Sequence, residues 1–323
     1  MRFVGWWRGD ERGGVRSVET SVRCADEPVV RACRLCAVLN VDEFESVFRS
    51  GWKKNFVHVP PSAKRVLVVS DLEGDAQDAY VKACRGLLEP LTERESPEWS
   101  FAPHGQWKGV EGLLRQVEEE RPDVIVTYRN LNSDAWKWAY SLGVYLGALT
   151  RGTEIPVVVT PNPHAYPSLE WQHSKTDSVM VLNDTLVGDD ELVSWGALVT
   201  REQGHLHLCH MEHDEVFDRY IDAISKIPEI DTDTARETIQ ALLMKEPREY
   251  IASARAALEA IAAPLTIHEH VLNGHRVADY RALVDAHEVD LVIFPTLEED
   301  RIALHGVAYS LSVELVTTPL LMV

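Results

Sequence analysis

The stretch DLVIFPTLEEDRIALHGVAYSLSVELVTTPLLMV, residues 290–323, carries the pattern that decides the fold. It begins with an apolar run typical of a buried strand, continues into a helical segment, and ends in a second apolar strand led by Pro319. The turn between a parallel strand and its helix is where many α/β proteins hold a phosphate in a glycine-rich loop. Here that turn carries Pro295, Thr296 and three acidic residues, which suggests a nucleotide-binding fold that has lost its nucleotide.

The same pattern occurs earlier in the chain, between residues 64 and 160. Each region opens with a strand that closes on an aspartate, continues with a strand led by an aspartate, and reaches a Gly-Val pair. In both regions, a proline that leads a final strand then follows thirteen positions after the glycine. The shared positions are Asp71 and Asp184, Asp123 and Asp290, Gly143 and Gly306, and Pro156 and Pro319. This correspondence indicates an internal duplication.

Strands alternate with helices in both regions, which predicts an α/β fold of parallel strands with helices on both faces of the sheet. The second region predicts five strands, with a polar helical excursion over residues 214–246 and a separate helix from Glu249 onward. The first region has four recognisable strands and lacks one strand–helix unit. The organisation expected is an N-terminal accessory segment over 1–62, an abbreviated module over 63–162 and a complete module over 176–323, joined by a proline-rich segment.

In their order and spacing, these residues resemble the universal stress protein family in its tandem, two-module form. The resemblance covers nearly all of the second region, including LHLCHM and VLNGHRVADYRALVDAHEVDLVIFPT, and the first region at RPDVIVTY and IPVVV. It implies two flavodoxin-like, adenine nucleotide alpha hydrolase-like modules, each a parallel five-stranded sheet, that associate through their last strands. In this chain that association would form an internal pseudo-dimer, with residues 156–160 near residues 319–323. It also implies a nucleotide site at the carboxyl ends of the strands. The positions of that site in this chain are Asp71, Gly143, Asn183, Asp184, Pro295, Thr296 and Gly306.

Nucleotide-binding members of the family resemble one another in a loop of the form G-x-x-G-x9-G-(S/T), whose backbone N–H groups hold the phosphates. In the second region Pro295, which has no N–H to offer, takes the place of the first glycine, and acidic residues follow it. A triphosphate there would face carboxylates at about 4–8 Å, and each such pair costs about 2–4 kcal/mol at an effective dielectric constant near 20. We therefore expect a degenerate loop and no cofactor.

The corresponding loop of the first region departs from the family pattern in a different way. Tyr128 stands where a glycine belongs, while Arg129 and Lys137 would attract AMP or another small anion. The alternative interpretation is therefore that the protein binds ATP or AMP through a rearranged phosphate loop.

Four histidines lie on two segments that the pattern predicts to be neighbouring strands. His205 and His207 share one face of the first strand, and His268 and His270 share one face of the second. Four imidazoles that meet can bind Zn²⁺ or Cu²⁺, so these residues are candidate metal ligands. The alternative is that each histidine is hydrogen-bonded or solvated near the end of its strand.

Other catalytic and metal motifs are missing from the sequence. It contains no G-x-S-x-G elbow, no P-loop and no H-E-x-x-H motif, so we expect no enzyme activity. Cys33 and Cys36 form a C-x-x-C pair, but the segment around them fits the apolar side of a helix better than a zinc or redox site.

The composition argues against several classes of partner. A formal net charge of −19 repels phosphates, which argues against nucleic acid and anionic membranes. No apolar run reaches the roughly 18 residues of a membrane span, the start does not resemble a secretory signal, and the five cysteines are scattered, so a cytoplasmic location is expected. We expect a regulatory or scaffolding protein that contacts protein partners, or itself as a homo-oligomer, through the last strands. A small-molecule or lipid-binding sensor with a cavity between the modules is the alternative.

Overall fold

The computed structural model describes residues 54–103, 105, 107–137, 141–167, 175–183, 186–212, 214–261, 263–274, 277–296 and 307–323. These residues form an α/β fold with a mostly parallel sheet, as the alternating pattern predicted. Residues 53–323 form one compact unit. Its first half is defined as residues 54–167, and its second half as residues 175–323.

Nine strands are found in the described part of the chain, and all of them belong to one sheet. They are β1 (Arg65–Ser70), β2 (Glu98–Pro103), β3 (Val124–Tyr128), β4 (Val157–Thr160), β5 (Ser178–Asn183), β6 (His205–Glu212), β7 (Thr266–Asn273), β8 (Leu291–Phe294) and β9 (Leu320–Met322). The described helices are α1 (Asp75–Leu87), α2 (Glu89–Glu95), α3 (Gly109–Glu120), α4 (Val144–Gly152), α5 (Asp190–Val199), α6 (Asp214–Ile224), α7 (Thr232–Ala260), α8 (Val277–Ala286) and α9 (Val307–Glu314), with a 3₁₀ turn at Asp134–Lys137.

Hydrogen bonds join the strands in the order β2-β1-β3-β4-β9-β8-β5-β6-β7. Neighbours are parallel except β4 and β9, which run antiparallel with Val157 opposite Met322 and Val159 opposite Leu320. The structure therefore places residues 157–159 beside residues 320–322, within the two segments that the family resemblance implied would lie close together. Counted outward from this pair, the halves run β4-β3-β1-β2 and β9-β8-β5-β6-β7, so the described first half has no counterpart of β7.

The central strands are buried along nearly their whole length because their sequences are continuous apolar runs. The segment VIVTY of β3 and the segment SVMVLN of β5 have every residue buried. Such runs fit a parallel sheet covered by helices on both faces, whereas a sheet with one wet face would alternate polar and apolar residues. Burial of these side chains supplies most of the apolar area that stabilises the core.

Two hydrogen-bond patterns recur at equivalent positions in the halves. The carboxylate of Asp123 accepts the backbone N–H groups of Lys64 and Arg65 at the start of β1, both at 2.9 Å. The carboxylate of Asp290 accepts the N–H of Ser178 at the start of β5, also at 2.9 Å. Each aspartate thus fixes the register between the first strand of its half and the strand beside it.

The second recurring pattern involves the prolines that lead the final strands. The Pro156 carbonyl accepts the N–H of Ile125 at 3.0 Å, and the Pro319 carbonyl accepts the N–H of Val292 at 3.1 Å. A proline has no N–H but keeps its carbonyl, so it can begin a strand and still take part in the ladder on one side.

Arg129, directly after β3, is buried against the second half. Its guanidinium donates to the carbonyl oxygens of Ser312, Leu315 and Val316 at the end of α9, at 2.9, 2.6 and 3.3 Å. Only 4% of Arg129 is exposed, and burial lowers its pKa to about 10, so the group stays charged at neutral pH. A positive charge at the carboxyl end of a helix binds its unpaired carbonyls and opposes the negative end of the helix dipole.

Arg94 of α2 repeats this contact at another helix of the second half. It donates to the carbonyl oxygens of Ala197, Leu198 and Thr200 at the end of α5, at 2.6, 3.0 and 3.2 Å. Burial is the main cause that lowers the pKa of Arg94. Two arginines of the first half therefore cap two helices of the second half.

Residues 54–60, part of the predicted accessory segment 1–62, also contact the second half. The N–H of Phe56 donates to Ser253 Oγ of α7 at 2.8 Å, and the N–H of Val59 donates to Ser194 Oγ of α5 at 3.1 Å. The ring of Phe56 is 5% exposed and lies edge-on to Tyr250, with 6.2 Å between the ring centroids. Residues 1–53 of that segment, with Cys33 and Cys36, lie outside the described residues.

The prediction of a separate helix starting near Glu249 was wrong. α7 is continuous over 29 residues and passes through Pro247. Met244, Pro247, Ile251, Ala254 and Leu258 are buried at steps of three and four, so one apolar stripe packs along the sheet on both sides of the proline. This packing offsets the hydrogen bond that the proline removes from the helix.

Candidate functional site

Asp71, directly after β1, is held by groups of the first half itself. Tyr128 donates its hydroxyl to Asp71 Oδ1 in a short hydrogen bond, and the N–H of Asn132 donates to Asp71 Oδ2 at 2.7 Å. His164 Nε2 lies 3.4 Å from Asp71 Oδ1. The side chain of Asp71 is 14% exposed, so most of its surface is covered by these neighbours.

Tyr128 fills the place where the family pattern has a glycine. Its ring is fully buried and lies edge-on to Tyr80, with 5.2 Å between centroids. Burial, and then the hydrogen bond to Asp71, raise the pKa of the Tyr128 hydroxyl, which therefore stays protonated and available as a donor. The same hydroxyl oxygen accepts the N–H of Asp71 at 3.0 Å, so the two residues are joined twice.

Gly143 and Asn130 close the loop that would have to open for a phosphate. Gly143 has φ of +86°, and a Cβ there would lie 2.7 Å from the Cα of Asn130. Asn130 donates its N–H to the Leu142 carbonyl at 3.0 Å and its side-chain amide to the Ser141 carbonyl at 3.1 Å. The glycine is thus required by a close approach of the protein's own backbone, which occupies space beside the start of α4.

The two basic residues expected to attract an anion have other partners. The guanidinium of Arg129 gives all three of its described hydrogen bonds to carbonyl oxygens at the end of α9. Lys137 forms an exposed ion pair with Asp134 at 3.1 Å and lies 5.2 Å from the centre of the Trp136 ring.

At the equivalent edge of the second half, the described site positions are also bonded within the chain. Asn183 donates its side-chain amide to Asp189 Oδ2 at 2.8 Å, and Asp189 caps α5 by accepting the N–H of Leu192 at 3.3 Å. Burial raises the pKa of Asp189. Asp184, Gly306 and the acidic residues 298–300 lie outside the described residues.

Pro295 and Thr296 follow β8 at the point where a phosphate loop would begin. The N–H of Thr296 donates to the Val323 carbonyl at 2.7 Å, and its hydroxyl donates to the same oxygen at 2.9 Å. The N–H of Thr296, the first described N–H after β8, is therefore already bonded to Val323, which follows β9. Pro295 before it has no N–H.

The four histidines chosen from the sequence do meet, and a fifth joins them. His205 Nδ1 lies 2.9 Å from His268 Nε2, and His207 Nδ1 lies 3.0 Å from His270 Nε2. The ring of His287, which follows α8, lies 4.7 Å from the rings of both His207 and His270.

Sequence reasoning missed His287 because that residue is on no strand. The signal that would have found it is its position three residues before Asp290, since the chain must return there to the amino end of β8, beside β5. The histidine cluster, defined here as His205, His207, His268, His270 and His287, lies toward the amino ends of the strands, whereas Asp71 and Asn183 lie at the carboxyl ends.

Three imidazoles of the cluster, those of His207, His268 and His270, have a lowered pKa and are poor bases. Burial, and then the neighbouring histidines, lower the pKa of His207 to about 3 and that of His270 to about 4. The pKa of His268 is lowered by the same two causes. At neutral pH these rings are uncharged, which is the form that coordinates metal ions.

Comparison with known proteins gives a likeness in structure without one in sequence. No protein-family model matches the chain, and no curated protein matches it. A solved protein of unknown function from Pseudomonas aeruginosa matches with a TM-score of 0.52 and 13% identity, over 81% of this chain and 93% of its own. A second P. aeruginosa protein, provisionally named a universal stress protein, matches with a TM-score of 0.50 and 12% identity, over 81% of this chain and 94% of its own.

The chain has a universal-stress-type fold. At 12–13% identity the likeness concerns the fold alone, and the universal-stress-type fold leaves open what the chain binds. Among the described residues, no helix is both long enough and apolar enough to cross a membrane.

Proposed function

We propose that this chain is a universal-stress-type regulatory or scaffolding protein of tandem form, which acts in the cytoplasm without catalysis and without binding ATP. Its two halves are an abbreviated and a complete copy of one module, with Gly143 and Gly306 as remnants of the two phosphate loops. The recurring bonds of Asp123 and Asp290 support this origin, because unrelated sheets have no reason to share them at the same strand positions.

The state of Asp71 carries the proposal. A carboxylate that serves a ligand must present an oxygen to it, but each oxygen of Asp71 already accepts a hydrogen bond within the chain, from Tyr128 or from the Asn132 N–H, and only 14% of the side chain is exposed. To admit a nucleotide here, the chain would have to break these bonds and expose the buried Tyr128 hydroxyl. Leaving a buried polar group unpaired costs about 1–3 kcal/mol, which a ligand would first have to supply.

The second half supports the same conclusion by other means. Thr296 gives its N–H to Val323, and Pro295 has none to give. The three acids that follow in the sequence would repel a triphosphate. We propose that neither half holds a nucleotide.

The pairing of β4 with β9 suggests where partners bind. Both last strands are used within the chain, so the association that the family resemblance implies between molecules is made between the two halves here, as an internal pseudo-dimer. Other surfaces are then left for partner proteins. With a net charge of −19, the chain favours partners with a basic surface.

The experiment that tests this function is recovery of nucleotide from purified protein. Protein is denatured, and adenine nucleotides in the supernatant are quantified by mass spectrometry; equilibrium dialysis against ATP and AMP with Mg²⁺ follows on intact protein. We expect no nucleotide in the supernatant and no excess inside the dialysis chamber. Recovery near one nucleotide per chain, or saturable binding of either nucleotide, would show that the chain is a nucleotide-binding stress protein.

A further inference from the structure

We propose that His207, His270 and His287 form a binding site for a divalent transition-metal ion of the zinc or copper type. This inference is independent of the proposed function, because the site lies toward the amino ends of the strands, whereas Asp71 and Asn183 lie at their carboxyl ends. Three segments that are far apart in sequence supply the ligands: β6, β7 and the turn after α8.

The distances between the three side chains are near those that a metal requires. One ligand nitrogen from each residue can be chosen so that all three lie within 4.8 Å of one another. Two nitrogens bound to one tetrahedral zinc at about 2.0–2.1 Å lie about 3.3–3.4 Å apart. His207 Nδ1 and His270 Nε2, at 3.0 Å, would separate slightly, and the ring of His287 would move inward to complete the site.

Hydrogen bonds already orient His207 for this role. The Ser178 hydroxyl donates to the His287 carbonyl at 3.1 Å, so its oxygen is left to accept from His207 Nε2 at 3.3 Å. That assignment puts the His207 proton on Nε2 and leaves the lone pair of Nδ1 facing His270. A ring nitrogen held by a hydroxyl while the other faces the metal is the arrangement that orients histidine ligands in known sites.

The chain without metal contains a proton where the ion would sit. With Nδ1 of His207 unprotonated, the contact at 3.0 Å requires His270 to donate from Nε2. A metal ion replaces this shared proton, and His270 takes a proton at Nδ1 instead, so both rings stay neutral and the net charge of the cluster rises by the charge of the ion alone.

Packing by itself gives no reason for this cluster. His207 is 3% exposed and stacks on His268 with 4.6 Å between ring centroids. Burial of several imidazoles together disfavours their protonation, and an aliphatic side chain at the same position of a strand would bury more apolar area with no polar atom to satisfy. A metal ion converts the converging nitrogens into favourable bonds.

A bound metal ion would link β6 and β7, the outer strands of the second half, to the turn that leads into β8. β6 and β7 lie at one edge of the sheet, while His287 leads into β8 beside β9. A ligand that binds only the folded chain stabilises it by mass action, so the metal would raise the melting temperature as its concentration rises above the dissociation constant. The fourth ligand in this arrangement is a water molecule.

The test uses the full chain without a histidine tag, stripped with a chelator and dialysed. Zn²⁺ is titrated in competition with a chromophoric chelator, and thermal melting is recorded with and without Zn²⁺. We expect one tight Zn²⁺ per chain and a higher melting temperature with the metal. His270→Gln and His287→Gln should each weaken Zn²⁺ binding by about tenfold or more and abolish the thermal shift.

Two matched histidine variants complete the design. His205→Gln removes a member of the cluster outside the proposed ligand set, and His58→Gln removes a histidine outside the cluster; each should change affinity by less than about threefold. Circular dichroism confirms that each variant is folded, and His287→Gln alters a residue between elements, where folding is least affected. Absence of tight Zn²⁺ binding, or binding that His270→Gln and His287→Gln leave intact, would overturn the proposal.

Discussion

The two halves of the sheet bond polar residues around the end of the first strand to different partners, at Asp71 in the first half and, in the second half, at Asn183, one position before the counterpart of Asp71. β1 is followed by Asp71, whose carboxylate is bound by Tyr128 and by the N–H of Asn132. β5 ends on Asn183, which donates to the helix cap Asp189. In both halves, polar groups at the edge where a ligand would bind have turned toward the chain itself. The comparison shows two different ways in which the chain bonds the described polar groups at the carboxyl ends of its strands.

The halves also differ in what they provide to each other. The described first half lacks a counterpart of β7, yet Arg94 and Arg129, which reach across to the other half, both belong to it. Through them, two helices of the second half have their carboxyl ends capped from outside. The shorter half therefore contributes to the longer one, and substitutions can break contacts between the halves separately from contacts within one of them.

The largest effect is expected for Arg129→Ala. The change leaves three carbonyls at the end of α9 without their charged donor and opens a cavity, so the free energy of unfolding should fall by about 3–4 kcal/mol in urea denaturation. Arg94→Ala removes the same chemistry from a more exposed position and should lower it by only about 1 kcal/mol. An equal effect of the two variants would show that burial does not set the strength of these caps.

Gly143→Ala tests the closed loop of the first half. Because φ is +86° and the new Cβ would lie 2.7 Å from the Cα of Asn130, the variant should be destabilised by about 2–3 kcal/mol. Gly147→Ala is the matched control four residues along α4: its Cβ meets only the flexible end of Arg151, at 3.3 Å, and the change should stabilise the helix by about 0.5 kcal/mol. Thermal melts of both proteins measure the difference, and a harmless Gly143→Ala would mean that the loop is open.

Asp123→Ala and Asp290→Ala test whether the matching hydrogen bonds of the two halves also make similar contributions to stability. Each aspartate accepts backbone N–H groups at the start of the first strand of its half, so each variant should lose about 1.5 kcal/mol of unfolding free energy in urea denaturation. Similar losses would sharpen the comparison of the halves. A loss in one half and none in the other would mean that the recurring bonds are not equivalent.

Tyr128→Phe is expected to have a smaller effect than the substitutions of Arg129, Gly143, Asp123 and Asp290. It removes the hydroxyl that joins β3 to Asp71 but keeps the ring, and the remaining N–H of Asn132 still binds the carboxylate, so the loss should be about 1 kcal/mol. Dialysis against ATP should show no binding to the variant, because the ring still fills the glycine position. ATP binding by the variant would mean that the Tyr128 hydroxyl alone keeps the nucleotide out of this site.

Much of the fold could be predicted from the sequence because its signals are local or repeated. Continuous apolar runs predicted buried parallel strands, and the spacing of Gly143 from Pro156 and of Gly306 from Pro319 indicated an internal repeat. The family resemblance implied that the two final strands lie together. The continuity of α7 through Pro247 could not be predicted, because local propensity argues for a break there and tertiary packing of one stripe overrides it.

The residues of the candidate sites could be named from the sequence, but their contacts could not. The expectation that no phosphate is held rests on Pro295 and Tyr128, which the sequence alone displays. The role of Arg129 could not be predicted, because its carbonyl partners lie 183–187 residues away and no local pattern connects them. His287 was missed for a similar reason, since only the path of the chain from α8 to β8 brings it to His207 and His270.

The central claim is that the chain's own side chains and backbone occupy the space around Asp71 at the carboxyl end of β1. A crystal structure of the protein grown with ATP and Mg²⁺ in excess tests it most directly. The account predicts Tyr128 bonded to Asp71, Asn130 packed on Gly143, and no phosphate density at either half. Phosphate density beside Asn130 and Gly143, or beside Thr296 and Gly306, would contradict it.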